Sequence, residues 1–216
     1  KPNVVILEGF EYSLGFTPKS LLNSYIKSSD KKFYKWGEPA YTAIKAAESG
    51  IPFVGGEPDE IDIKRGVLNA GFTAADLAMY YFVRQLPQFK RDGSLSSRSI
   101  EHIYPEYMNN TYSLLKIAGD SPSFEEFKHW YLKKNKKPFD LKTFDNEETS
   151  PQEKGQFYTQ KIGHAVGMVR DRYVVKLVAD MLNNKDRVMI VFGKSHLAQQ
   201  RRALVSMLGN PVKESI

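Results

Sequence analysis

Three short apolar runs, Val4 to Leu7, Ile51 to Val54 and Val188 to Phe192, limit what this chain can fold into more than any other feature. Each is continuous rather than alternating, as expected of a strand covered on both faces, and each runs straight into glycine and charged residues. Between the first two lie helical patterns around Pro18 to Ile26 and Pro39 to Glu48, the second carrying Ala40, Ala43, Ile44 and Ala47 at i, i+3, i+4, i+7. A strand, helix, strand rhythm of this kind predicts parallel strands joined through helices. The expected fold class is therefore α/β, with a mainly parallel central sheet flanked by helices.

The rhythm is interrupted from about residue 70 to 155. Helical stretches such as Thr73 to Leu86 and Ser123 to Lys134 are separated by Pro87, Gly93, Pro105, Pro122, Pro138 and Pro151. Ser123 followed by Glu125 and Glu126 has the form of a helix start with acids in its first turn. Because the sheet pattern resumes afterwards, we expect one domain over residues 1–216 carrying a helical insertion or lid at about 70–155, with a polar loop from Lys142 to Lys154. A long helix over about Gln156 to Leu182 leads to the last strand. Its apolar stripe, Val174, Val175, Val178, Met181 and Leu182, traces back through Asp171 to Met168 and His164. Arg170 lies at the edge of that stripe, and Arg172 faces the other way with Lys176 and Asp180.

Composition excludes several chemistries. The chain has 216 residues, enough for one substantial core. It has no cysteine, so thiol catalysis, disulfides and cysteine-bound zinc are out. The formal charge of +6 is spread along the chain and answered locally by acids, the Lys133 to Lys137 block by Asp145, Glu147 and Glu148, so no nucleic-acid partner is expected. No stretch reaches the roughly 18 apolar residues of a membrane span. Lys1-Pro2-Asn3 leads at once into a core strand, from which we expect upstream sequence, with a neighbouring strand and any targeting signal, to have been removed. Compartment and oligomeric state are not legible.

Ligands of parallel α/β sheets bind beyond the carboxyl ends of the strands. Glu8 follows the first strand, Glu57 the second, and Gly193-Lys194-Ser195-His196 the third. The last turn is not a phosphate-binding loop, since the glycine that loop needs five positions before Gly193 is Val188 inside the strand. It also lacks the final small residue of a nucleophile elbow, Leu197 standing there. What remains is a glycine turn delivering His196 to the first turn of a helix, where the macrodipole disfavours the imidazolium and keeps a neutral ring able to bind metal or accept a proton. Ser195 is read as the N-cap ahead of a nucleophile. Arg170-Asp171 is either a satisfied ion pair or a device orienting a substrate carbonyl or Glu8. His102 and His129 carry no partner signal and read as surface or core histidines.

Four blocks, KPNVVILEG, GEPAYTAIKAAESGIPFVGGEPDEIDIKRG, MVRDRYVVKLV and VMIVFGKSHL, resemble in order and spacing the TraB/Tiki family, within the wider group of erythromycin esterases and ChaN-like proteins. The resemblance covers both ends of the chain and hardly touches the helical middle. It matches a strand-terminal glutamate to Glu8, a glutamate-led helix to Glu38, a late Arg-Asp pair to Arg170 and Asp171, and the closing Gly-x-x-His to Gly193 and His196. Two features depart from the pattern. The family's earlier Gly-x-x-His is missing, and the acid-arginine pair after the second strand is Glu57-Pro58, leaving Lys64, Arg65 or nothing to supply the cation.

The resemblance implies a hydrolase of an amide or ester bond in a small molecule or peptide, with water activated by carboxylate and histidine and a divalent metal as a possible cofactor. Glu8, Glu57 and His196 are then acid, base or ligand candidates, with Glu8 and His196 the metal-ligand pair, and Arg170 an electrostatic stabiliser. Glu38, His164, Asp171, Gly193 and Ser195 would support them. Two alternatives stand beside this: a non-enzymatic haem- or iron-binding protein, as ChaN-like proteins are, with Tyr, Met or His of the helical middle as axial ligands; and a serine esterase using Ser195.

Overall fold

In a computed structural model that describes residues 1–11, 37–184 and 187–212, strands β1 (Val4–Glu11), β2 (Phe53–Glu57) and β3 (Val188–Val191) form one sheet of order β2-β1-β3. Both pairings are parallel, Ile6 lying opposite Val54 on one side and Ile190 on the other. The expected helix around Pro18 to Ile26 lies outside the described residues.

The continuous apolar run of β1 is explained by its central place. Val5 and Leu7 point to one face, where they pack with Phe53 and with Ala43 and Ala46 of helix α1 (Gly37–Glu48). Ile6 points to the other, against Val174, Leu177 and Val178. Leu7 and Ile6 are fully buried, which at roughly 1.5–3 kcal/mol each is a strong constraint on register, because a one-residue slip would exchange the faces. Of the residues that marked α1, Ala40, Ala43 and Ile44 are buried and Ala47 is partly exposed.

The third run corrects the expectation of burial on both faces. β3 is an edge strand among the described residues, and Met189 is 44% exposed. An apolar run records the wish to be covered, whereas strand order decides which strand is.

Two compact units divide the chain: residues 1–59 with 170–216, and 60–169. The helical unit is thus wider than the expected insertion at 70–155. It holds α2 (Glu60–Asn69), α3 (Ala74–Arg91), α4 (Ser94–Ser97), α5 (Ile100–Leu114), α6 (Phe124–Asn135) and the first half of α7 (Tyr158–Leu182). It also has its own core, in which Leu77, Phe82, Val83, Leu86, Tyr104, Met108 and Phe127 are all fully buried. Reciprocal caps start two of these helices, Thr73 with Asp76 and Ser123 with Glu126, the second at the predicted start.

Two further expectations are corrected. Pro87 and Pro105 do not separate helices but lie inside α3 and α5. Each removes one backbone donor, and the apolar stripes on either side outweigh that loss. The stretch 142–154 is polar in composition, yet it contains a short 3-10 turn (Asn146–Thr149) whose Glu148 is 2% exposed. Glu148 accepts from Lys137 Nζ at 2.6 Å, from the Asp145 amide at 3.0 Å and from the Tyr131 hydroxyl, so its burial is compensated.

No described helix is long and apolar enough to cross a membrane.

Candidate functional site

Three parallel strands necessarily end on one edge of their sheet, and there the first unit assembles a cluster of charged side chains. Glu8, expected just after the first strand, lies inside β1, which runs on to Glu11 past an irregularity in register after Leu7, and Glu57 is the last residue of β2. Arg170 and Asp171 come from α7, and His196 comes from the first turn of α8 (Lys194–Leu208). The predicted convergence of Glu8, Glu57 and His196 is observed, as is the predicted phase of α7: Asp171 is buried, the Arg170 side chain is 14% exposed and Arg172 is exposed.

Arg170 holds both glutamates. Its Nε and Nη2 donate to the two Glu57 oxygens at 2.7 and 2.6 Å, a bidentate pair, and Nη2 also reaches Glu8 Oε1 at 3.3 Å. The cation sought near β2 is therefore supplied from 113 residues away. Lys64 instead donates to the carbonyl of Leu115, and Arg65 pairs with Asp62. Burial works against the charge of Arg170, but Glu57 and Glu8 outweigh it and hold the guanidinium above its ordinary pKa.

The imidazole is held at both nitrogens. Nδ1 lies 2.9 Å from Asp171 Oδ1, and Nε2 lies 3.4 Å from Glu8 Oε1. Gln200, one turn further along α8 and 4% exposed, donates to the same Asp171 oxygen at 2.7 Å and fixes its direction. Phe192 packs edge-on to the ring, its centroid 5.7 Å from that of His196. Phe192 fits because Gly56 has no side chain: a Cβ there would meet Phe192 Cζ at 2.4 Å.

These contacts overturn the expectation of a neutral histidine. Hydrogen bonding to Asp171, then to Glu8, raises His196 to about 9 against the opposing effects of burial and Arg170. The helix dipole is real but small beside two carboxylates within hydrogen-bonding reach. In turn the His196 hydrogen bond is the largest cause that lowers Glu8 to about 2, with the Gly193 amide, 2.5 Å from Glu8 Oε2, adding to it against burial. At neutral pH the pair is an ion pair, Glu8 the anion and His196 the cation. The residue at the start of α8 is also corrected. Gly193, not Ser195, is the N-cap, and the anion at that terminus is Glu8. The side chain of Ser195 lies outside the described residues.

The remaining candidates do not join the cluster. Glu38 is exposed in the first turn of α1, and His164 belongs to the helical unit. His102 and His129 are exposed, bonded locally to Ser99 and to the Glu125 carbonyl. Gln200 was missed, although its i+4 spacing from His196 is a signal that places it on the same helix face.

Glu8 and His196, the pair that the resemblance implies as metal ligands, lie side by side, with Glu8 Oε1 also facing the Arg170 guanidinium. Among the described residues no group of three or more His, Asp and Glu side chains is arranged to hold a metal ion.

The opposed shifts set a stability profile. His196, raised above 6.5, contributes stability that is complete below pH 6.5 and is lost as pH rises through about 9. Glu8, lowered below 4.5, contributes stability that is complete above pH 4.5 and is lost as pH falls through about 2. Urea unfolding is therefore expected to show the cluster's contribution at its greatest between about pH 4.5 and 6.5, falling by a few kcal/mol by pH 10, since one pKa unit is worth about 1.4 kcal/mol. His196→Gln should remove most of the alkaline decline. An unchanged alkaline slope in the variant would place the titrating group elsewhere.

Compared with protein families, curated proteins and solved structures, the chain matches no family model, no curated protein and no solved structure.

Proposed function

We propose that the chain is a hydrolase of amide or ester bonds, acting through Glu8 and His196, and that its sequence blocks place it with the TraB/Tiki and erythromycin-esterase group. The observation that carries this reading is the 3.4 Å contact between Glu8 Oε1 and His196 Nε2, made by groups of opposite charge and anchored from behind by Arg170 and Asp171. A cation with a proton to give and an anion able to take one, side by side at a strand edge, are the two halves of acid-base hydrolysis.

The proton balance closes within the pair. Glu8 takes a proton from water as its oxygen attacks the carbonyl carbon. The bond to the leaving nitrogen or oxygen breaks, and that atom takes the Nε2 proton of His196. Glu8 then returns its proton to His196 across the 3.4 Å contact, restoring both. A carboxylate held at about 2 is a weak base, and a substrate that covers the cluster strengthens it by excluding water, since burial already acts to raise Glu8. Asp171 and Gln200 hold the ring in place through the cycle, and Glu57 keeps Arg170 aimed at the charge that develops.

The test is a pH profile on substrates whose leaving groups need a proton, alkyl esters and peptide amides, followed by pH-stat. With His196 as acid, kcat/KM is flat across neutral pH and falls above about 9. A rate that instead climbs through pH 9 would make His196 a base and overturn the assignment of roles. No hydrolysis of either class would overturn the reading itself.

A further inference from the structure

The helical unit contains a cavity of about 380 Å³ lined by residues of α3 and α5 and by Glu60. Its walls are two helix faces. Tyr81, Arg84 and Gln85 stand at i, i+3, i+4 on α3, and Tyr107, Asn110 and Leu114 at i, i+3, i+7 on α5. The phenols are fixed: Tyr81 donates to Glu60 Oε2 at 2.6 Å, and Tyr107 donates to the Tyr81 carbonyl at 3.1 Å. The Tyr107 ring is further set by Phe82 and Phe89, at centroid distances of 5.8 and 5.7 Å.

Against these fixed groups, Arg84, Gln85 and Asn110 make no side-chain hydrogen bond or ion pair among the described residues. Burial raises both Tyr81 and Tyr107. Glu60 adds to that rise and Arg84 opposes it in each. The cavity is thus lined by a carboxylate that accepts from a tyrosine and by a guanidinium with no bonded partner among the described residues, together with amides and an apolar edge at Leu114. A guanidinium takes a carboxylate by paired N–H bonds, and a carboxylate takes an ammonium, so the wall is complementary to a ligand carrying both. The volume lies at the small end of the range for ligand sites.

We propose that this cavity binds a small amino-carboxylate zwitterion of the size of a free α-amino acid, its carboxylate on Arg84 and its ammonium on Glu60. The site is in the helical unit and is independent of the hydrolytic reading of the strand-edge cluster.

The test is calorimetric titration of the whole chain with L-alanine, L-leucine and L-phenylalanine, each beside its deaminated acid and its decarboxylated amine. At least one amino acid should bind saturably at millimolar concentration or below, with both of its half-charged analogues weaker by about tenfold or more. Arg84→Gln and Glu60→Gln should each weaken the amino acid by a similar factor, and Glu60→Gln should leave the deaminated acid unharmed. Melting curves without ligand establish that each variant is folded, and the wild-type analogue series decides the matter even if one is not. Absence of saturable binding by all three amino acids overturns the proposal. So does equal binding of the deaminated acid, which would mark a plain anion site, or of the amine, which would mark a cation site.

Discussion

Glu8→Gln is expected to lower kcat/KM for ester or amide hydrolysis by about 10²- to 10⁴-fold, the usual contribution of a positioned acid or base. The substitution is nearly isosteric. Its amide oxygen can still accept from the Gly193 amide, which now donates to Glu8 Oε2 at 2.5 Å, so the turn into α8 keeps its anchor. What is lost is the negative charge beside His196 Nε2, which in the proposed mechanism takes the proton from water. Hence the His196 limb of the pH profile should also move below about 9, a change that a merely structural glutamate would not produce. Kinetics and urea unfolding on the same preparation separate the two roles. A variant with lowered stability and unchanged kcat/KM would reduce the cluster to a structural ion pair.

Arg170→Met carries the largest expected cost in stability. The Arg170 side chain is 14% exposed and its partners Glu57 and Glu8 are 12% and 26% exposed, so the network is mostly out of water. Methionine fills much of the volume but leaves two carboxylates facing one another with no guanidinium between them. Removing one member of a buried ion pair costs about 3–5 kcal/mol, because the remaining charge stays desolvated. Equilibrium unfolding at pH 7 measures it. A loss under about 1 kcal/mol at pH 7, the value of a surface pair, would mean that water screens the cluster.

How much of this was legible beforehand differs between elements for physical reasons. The three strands, their parallel sense and the edge on which Glu8, Glu57 and His196 meet follow from apolar runs joined by helical patterns, since parallel strands must end together. Helical phase was enough to separate Asp171 from Arg172. The bounds of the helical unit were not legible. Pro87 and Pro105 look like breaks, and only the packing of Phe82, Tyr104 and Phe127 into one core decides that the helices run through them.

Charge is where sequence reasoning stopped. The protonation of His196 depends on Asp171 and Glu8, which lie 25 and 188 residues away in the chain, and on Gln200, which no motif singled out. Likewise the partner of Glu57 was sought among neighbouring lysines and arginines and came from α7. A local rule such as the helix dipole acts through the first turn of its own helix, so it can be read from the chain. Coulomb interactions and hydrogen bonds act through space at about 3 Å and are strengthened by burial, which residue order does not encode. The sequence alone therefore determined which side chains stand toward the carboxyl ends of the strands. The tertiary structure decided which of them hold protons, which pair, and that the histidine expected to be a base is the cation of an ion pair.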